Sequence, residues 1–246
     1  MKKNIYLLLI FLSISINSQE FKGIIEYGKK SMKKELSEKS KKRKKENPEL
    51  FKKFEKVRNA ISEAEKKLTF KLLFKNNISI FKVNPMLQSD NKRAYETAIG
   101  GYDAGIYFND TSERLLQLNA YGELFLIKKP KLKWIILKER KKIGKYNCLK
   151  ATTVIIINSK GKKRVITAWF TPKIPVAFGP LGYSGLSGLI LELEVYKKIY
   201  YAKKITLNSE EEIEVKKPTK GILVTENEFQ NVGKETMRKL KKNNGF

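Results

Sequence analysis

Apolar and polar positions alternate with a period of two over most of the chain from Thr69 onward. In the first such run Phe70, Leu72 and Phe74 alternate with Lys71 and Lys75, and this period places the apolar side chains on one face of a β-strand. Because no long helical pattern separates the later runs, they predict a mainly β fold built on a curved or partly closed antiparallel sheet. The other predicted strands are FKGIIEYG, GIYFND, YGELFLIKK, KWIILKER, CLKATTVIII, KKRVITAWF, LILELEV and YYAKKITL.

A helical period interrupts this pattern after the first predicted strand. Residues 29–67 carry 16 basic and seven acidic residues, a balance of 16 − 7 = +9. Within them Asn47 can cap a helix that begins at Pro48. A stripe of apolar residues at steps of four and three then predicts about five helical turns packed against the sheet. The stripe consists of Leu50, Phe54, Val57, Ile61, Ala64 and Leu68.

Two further segments complete the predicted helices. KKELSEKSKKRKKEN, just before Pro48, has no apolar stripe, so it predicts either a solvated helix or a disordered basic run. We therefore expect a Lys-rich helical insertion at about 29–67. The C-terminal segment TENEFQNVGKETMRKLKKNN predicts a final helix.

The N-terminus has the pattern of a signal peptide. Lys2 and Lys3 precede the apolar run IYLLLIFLSISI, and Ser18 is a small residue before the expected cleavage site. Twelve apolar-leaning residues are too few to span a bilayer, and no later apolar run reaches about 18 residues. We expect residues 1–18 to be removed on export, leaving a single domain over 19–246 with no transmembrane segment.

The stretch TPKIPVAFGPLGYSGLSG, residues 171–188, carries one charge in a chain that is 31% charged. Eighteen residues without a strand or helix pattern indicate an ordered functional loop or a flexible linker. A linker would be polar, whereas this stretch is apolar, stiffened by prolines and hinged by glycines. We expect this loop to be buried on the sheet, or to line a pocket or a partner surface.

The segment AWFTPKIPVAFGPLGYSGLSGLILELE, residues 168–194, resembles the signature of the GLPGLI family of secreted bacterial proteins. Ser187 stands where that family usually has proline. The segments KIGKYNCLKAT and KPTKGILVTENEF are also similar to the family pattern. The resemblance implies export from a Gram-negative cell, to the periplasm, the medium or the cell surface. It implies no activity, because the family has none assigned.

The composition narrows the possible partners and chemistry. A formal charge of +27 suggests polyanion partners. Only seven of the 52 basic residues are arginine, the type favoured for phosphate recognition, so nucleic acid is not expected. With no histidine and one cysteine, Cys148, histidine-based catalysis and imidazole-bound metals are excluded. We expect no metal, cofactor or catalytic residue.

Two pairs of carboxylates are spaced so that they could form an acid/base pair, but structural roles account for both pairs. Asp103 and Asp110 lie seven residues apart and are expected in turns at the two ends of one strand. Glu192 and Glu194 share a strand face, and we expect Lys197 and Lys198 to balance their charge. A hydrolase that uses these carboxylates alone is the weakest hypothesis.

Two functions remain open after these exclusions. The first is a non-catalytic exported protein that binds an apolar small molecule, a peptide or an envelope protein through the 171–188 loop. The alternative is binding of a polyanion or an anionic surface through the basic 29–67 insertion. For the first function the candidate surface residues are Trp169, Pro172, Ile174, Pro175, Phe178, Pro180, Tyr183, Gly185, Leu186 and Gly188.

Overall fold

The computed structural model describes residues 20–32, 37–84, 92–156 and 161–243. Over these residues the fold is mainly β, as the alternating pattern predicted. The strands are β1 (Lys22–Ser31), β2 (Phe70–Lys75), β3 (Ile78–Val83), β4 (Ile106–Asn109), β5 (Arg114–Ala120), β6 (Glu123–Lys128), β7 (Ile135–Ile143), β8 (Tyr146–Ile156), β9 (Lys163–Thr171), β10 (Leu189–Val195), β11 (Lys198–Leu207) and β12 (Ile222–Thr225). The helices are α1 (Glu38–Glu46), α2 (Pro48–Lys67), α3 (Lys92–Ile99) and α4 (Glu226–Asn243).

All twelve strands form one open sheet in the order β12-β6-β5-β4-β3-β2-β1-β11-β10-β9-β8-β7. Neighbouring strands are antiparallel except β12 and β6, which are parallel. The sheet is therefore antiparallel, as predicted, in ten of its eleven pairings, and the one parallel pair makes it mixed. The parallel pair arises because residues 208–221 return across the sheet, where the Gln117 side chain donates to the Lys220 carbonyl oxygen at 2.9 Å.

The hydrophobic pattern did not predict three of the strands, β3, β5 and β12, or the helix α3. β3 and β5 each hold a buried polar side chain, Ser79 and Arg114 respectively, among their apolar residues, and this disguises the alternation. β12 has only four residues, none of them fully buried. Such a short strand is defined by its pairing with β6 rather than by its own sequence.

The main core lies on one face of the sheet, which we call the inner face. Tyr27, Phe70 and Phe81 belong to this face, with Phe70 and Phe81 stacked at 5.5 Å between ring centroids. Phe229 of α4 packs on the same core. A smaller apolar cluster on the outer face of β4–β6 is covered by Val215. Both faces are thus used, but the inner one holds most of the buried aromatic residues.

The insertion is helical where the sequence predicted it, although it begins later. Residues 29–31 continue β1, so helix begins at Glu38. The capping prediction is confirmed, because the Asn47 side chain accepts from the Leu50 N–H at 3.0 Å with Pro48 as first helical residue. α1 buries none of its side chains and is therefore the solvated helix of the two alternatives.

The expectation that the whole apolar stripe of α2 packs on the sheet was wrong for its first half. Its second half, Ile61, Ala64 and Leu68, contacts the core. In the first half Leu50, Phe54 and Val57 are 47%, 62% and 59% exposed. α2 therefore projects from the sheet with an open apolar face.

The two ends of the chain differ in what can be compared with the sequence predictions. The proposed signal peptide, residues 1–18, lies outside the described residues. The predicted C-terminal helix is confirmed as α4. Among the described helices, none has both the length and the apolar character to cross a membrane.

Candidate functional site

The loop between β9 and β10 packs into the inner face of the sheet. Its six large apolar side chains are at most 7% exposed and belong to the main core. One ring contact, Phe178 with Phe74 of β2, has centroids 6.4 Å apart. The expectation of a buried loop is therefore confirmed, and this packing explains its lack of charge. The buried apolar residues are Ile174, Val176, Phe178, Leu181, Tyr183 and Leu186.

Backbone hydrogen bonds close the loop on itself and join it to the start of β10. The Gly185 N–H donates to the Ala177 carbonyl oxygen at 2.9 Å, and the Ile190 N–H donates to the Phe178 carbonyl oxygen at 3.0 Å. A tight turn joins Pro180 to Tyr183, with φ of 52° at Leu181 and 67° at Gly182. Two central residues with positive φ define a turn that ordinarily favours glycine, so Leu181 adopts an uncommon conformation for a branched residue.

Arg114 of β5 anchors this turn from the sheet. Its Nε and Nη2 atoms donate to the Gly182 carbonyl oxygen at 3.1 and 2.8 Å, and its Nη1 donates to the Pro130 carbonyl oxygen. Burial lowers the pKa of Arg114 to about 10, so the guanidinium remains charged at neutral pH. The side chain thus joins the loop to the connection between β6 and β7.

Two aromatic side chains add further anchors. The Trp134 indole N–H donates to the Ser184 carbonyl oxygen at 2.9 Å, and its ring meets the Tyr183 ring edge-on at 6.3 Å. Just after the loop, at the start of β10, the Tyr27 hydroxyl donates to the Ile190 carbonyl oxygen at 2.6 Å. Burial raises the pKa of Tyr27 well above its usual value, which keeps this hydroxyl protonated as a donor.

The solvent-facing side of the loop forms what we call the ridge. It consists of small or proline residues with a single charge, and its members are Pro172, Lys173, Pro175, Ala177, Gly185 and Ser187. Three of the ten candidate surface residues, Pro172, Pro175 and Gly185, lie on the ridge, whereas Ile174, Phe178, Pro180, Tyr183, Leu186 and Gly188 are buried beneath it. The tenth, Trp169, is half-buried between the inward-facing Ala168 and Phe170 and lies on the outer face of β9.

Gly188 permits the closest approach between the two ends of the loop. A Cβ atom there would lie 2.2 Å from the Thr171 carbonyl oxygen and 2.9 Å from the Pro172 Cα. Because backbone would have to shift, we expect Gly188→Ala to lower the free energy of unfolding by about 1–3 kcal/mol. Gly100→Ala is the control, since its nearest atoms lie at 3.4 Å. Chemical denaturation of both variants measures the difference, and equal stabilities would contradict this account.

A second buried feature is an ionic cluster on the inner face of β1 and β11. Lys29 is 2% exposed and donates to the Ala98 carbonyl oxygen at 2.5 Å. Its ammonium also pairs with an Asp103 carboxylate oxygen, whose second oxygen accepts from the Tyr200 hydroxyl. Lys29 therefore ties the C-terminal end of α3 and the following turn to the sheet.

The cluster continues along β1 to the base of α2. Glu65 accepts from the Ser31 hydroxyl at 2.7 Å and pairs with Lys198 of β11. Burial alone would raise the pKa of Glu65, but the hydrogen bonds from Lys198 and Ser31 outweigh it and lower the pKa. These side chains fix the packed half of α2 on the sheet.

Several charged residues have partners that the sequence did not indicate. Asp103 lies in the turn before β4, as predicted, but its pair with the buried Lys29 was not indicated. Lys198 was expected to balance Glu192 or Glu194 but pairs with Glu65, while Glu192 binds Lys141 at 2.6 Å. Asp110 is a turn residue as predicted, because it accepts from the Ser112 and Glu113 N–H groups.

One signal for the buried cluster was present in the sequence. The alternation that places Ile25 and Tyr27 on the inner face continues to Lys29. Extending the first strand beyond Gly28 would have placed a lysine in the core, and a buried lysine requires a partner. No comparable signal marked Arg114, whose acceptors are backbone oxygens distant in sequence.

The outer face near Trp169 carries charge rather than a reactive group. Lys141 and Lys150 lie over its ring at 5.3 and 5.8 Å from the centroid. Cys148 on the neighbouring strand is 1% exposed, and burial raises its pKa to about 11. This thiol is protonated at neutral pH and shielded from solutes.

Comparisons with known proteins add little about function. A family model described as a protein of unknown function (Porph_ging) matches residues 158–192, the segment that contains β9, the loop and the start of β10. The match covers a minority of the chain. No curated protein matches the sequence.

Structural likeness is weak. Two crystal forms of PNGF-II match at 13% and 14% identity with TM-scores of 0.43 and 0.44. They cover 85% and 86% of this chain but 31% and 33% of theirs, so the chain spans about a third of that protein. An uncharacterized conserved protein from Thermus thermophilus matches at 6% identity with a TM-score of 0.29, over 70% of this chain and 99% of its own.

Proposed function

We propose that this is an exported, non-catalytic binding protein that holds a peptide or an envelope protein against the ridge. The main observation in support of this proposal is the contrast between the two sides of the 171–188 loop. Its inner side is fixed by hydrogen bonds from Arg114 and Trp134. Its outer side presents a surface with one charge on a protein of formal charge +27.

A fixed surface of this composition is suited to binding a macromolecule. Loop ordering is a cost of association, and a loop already held in place avoids much of it. Depletion of charge is the compositional mark of interface centres. The large apolar side chains of the loop fill the core, so we favour a peptide or protein partner over a small apolar ligand.

The described side chains support a role without covalent chemistry. Cys148 is buried with a raised pKa, and Glu192 is held by Lys141. Lys29 is buried and is engaged in pairing with Asp103 and in holding α3. Each of these side chains is therefore buried in the fold or paired with an oppositely charged neighbour.

We propose export and membership of the GLPGLI family on separate grounds. The sequence of residues 1–18 supports export. The motif in residues 168–194 supports the family, and it overlaps the segment matched by the family model of unknown function. Under this proposal the mature chain begins at Gln19.

The experiment is site-specific photo-crosslinking in cells that export the protein. A photo-reactive residue at Ala177 or Ser187, both exposed on the ridge, should yield one defined crosslinked species from the envelope fraction. Excess unmodified protein should compete for it, whereas the double variant Ala177→Arg/Ser187→Arg should not, because added charge opposes burial at an interface. Mass spectrometry of the same sample should show Gln19 at the N-terminus.

The control places the same photo-reactive residue at Asn119 or Asn147, which are exposed elsewhere on the sheet. Crosslinks of equal yield from these positions would refute a specific ridge site. Absence of crosslinks at the ridge, with the fold intact, would do the same. An N-terminus other than Gln19 in the exported material would overturn the expected cleavage.

A further inference from the structure

The projecting half of α2 combines an open apolar stripe with a strongly basic surround. Leu50, Phe54 and Val57 lie at successive steps of four and three, so they share one helix face. Each is about half exposed or more, at 47%, 62% and 59%. A solvated helix needs no such stripe, whereas the same stripe in the second half of α2 is packed on the core.

The charge around this stripe is of one dominant sign. Residues 38–58 hold ten basic and four acidic residues, a balance of 10 − 4 = +6. Lys52, Lys53 and Lys56 are exposed on α2 itself. α1 is exposed along its length, and Lys44 lies over the Phe51 ring at 5.6 Å, which connects the two helices. Basic groups therefore lie on both sides of the open apolar face.

We propose that α1 and the first half of α2 dock on the surface of an anionic lipid bilayer. A helix with an apolar face and a Lys-rich polar face lies in the plane of the interface, with its apolar side chains at the boundary of headgroups and acyl chains. The lysines are attracted to the anionic headgroups within about a Debye length of 8–10 Å. The projecting end of α2 thus acts as a reversible membrane contact while the sheet remains in water.

This surface is separate from the ridge, and its orientation is set by the ionic cluster. Glu65, near the C-terminal end of α2, is held by Ser31 and Lys198. Since the helix is rigid and held at that end, its other end projects in a fixed direction. Membrane docking through α2 and binding of a partner on the ridge can therefore be tested separately, and failure of one leaves the other unaffected.

The test is vesicle flotation of the purified mature protein at low and raised salt. Phosphatidylcholine vesicles with and without phosphatidylglycerol are the probes. We expect binding only when phosphatidylglycerol is present, with loss of binding as salt is raised. The variants Leu50→Ser/Phe54→Ser and Lys52→Gln/Lys53→Gln/Lys56→Gln should each lower the partition coefficient about tenfold.

Matched controls keep the same chemistry at distant exposed positions. Val165→Ser removes an apolar side chain that is 62% exposed on β9. Lys239→Gln/Lys241→Gln/Lys242→Gln removes three exposed lysines at the end of α4. Both should bind vesicles within about twofold of the unmodified protein, since neither alters the α2 surface. Unfolding curves of all variants verify that the sheet is intact.

Three outcomes would overturn the inference. Equal binding to neutral vesicles would remove the role of the lysines. If vesicle binding is lost in the lysine variant but retained in Leu50→Ser/Phe54→Ser, the surface is a purely electrostatic polyanion site. Absence of vesicle binding together with self-association that Leu50→Ser/Phe54→Ser abolishes, measured by analytical ultracentrifugation, would identify a second copy of the chain as the occupant.

Discussion

Replacing Lys29 with methionine is expected to lower the free energy of unfolding by about 3–5 kcal/mol, because removal of one partner of a buried pair leaves the other charge uncompensated. The Asp103 carboxylate would keep only the Tyr200 hydroxyl as a partner from this cluster, and the Ala98 carbonyl oxygen would lose its buried donor. Methionine retains the length of the side chain, so loss of charge and of hydrogen bonds dominates the effect.

Denaturant titration of four variants tests this account: Lys29→Met, Asp103→Asn, the double variant that combines them, and Lys30→Met. Lys30→Met is the matched control, because Lys30 is the next residue of β1 but is exposed, with its ammonium 5.2 Å from the Tyr201 ring centroid. Its substitution should cost about 1 kcal/mol or less. In Lys29→Met/Asp103→Asn the buried charge is also removed, so the double variant should be less destabilised than the sum of the single ones. Additive effects would show that the two charges do not interact.

Arg114→Met should lower the free energy of unfolding by about 2–5 kcal/mol, because two carbonyl oxygens lose their donors and each buried unsatisfied group costs about 1–3 kcal/mol. The affected oxygens are those of Gly182 and Pro130. Because the guanidinium is the main polar link from the sheet to the turn at Leu181, the loss should be concentrated in the 171–188 loop. Arg114→Lys should recover only part of it, since an ammonium lacks the planar fork.

Hydrogen exchange measured by mass spectrometry distinguishes a local effect from a general one. In Arg114→Met, amide exchange should accelerate in peptides from the loop more than in peptides from β1 and β2. Arg140→Met is the control, because Arg140 is exposed on the edge strand β7, and its exchange pattern should match that of the unmodified protein. Unchanged exchange of the loop in Arg114→Met would refute the anchoring role and weaken the proposal of a fixed binding ridge.

The features that the sequence predicted correctly are those with a local, repeated cause. Alternation of Phe70, Leu72 and Phe74 identified β2, and Asn47 with Pro48 identified the start of α2. Burial of the 171–188 loop was inferred from its composition alone, since apolar residues stiffened by proline are not stable in water as a linker. In each case the information lies within a few neighbouring residues.

The features that it missed depend on contacts between distant residues. Lys29 pairs with Asp103, which is 74 residues away in sequence, and Arg114 donates to Gly182, which is 68 residues away. A side chain's type does not reveal which distant carbonyl or carboxylate will face it. The parallel placement of β12 beside β6 is likewise decided by how residues 208–221 cross the sheet.

The sequence by itself determined nine of the twelve described strands, the helical insertion and the burial of the loop, because short-range periodicity and backbone preference act before the chain is folded. The tertiary structure alone decided which half of the α2 stripe is covered, which charges are paired and which side of the loop faces solvent. Those outcomes follow from the limited inner surface of one sheet. That surface accommodates Ile61, Ala64 and Leu68 but leaves Leu50, Phe54 and Val57 in water.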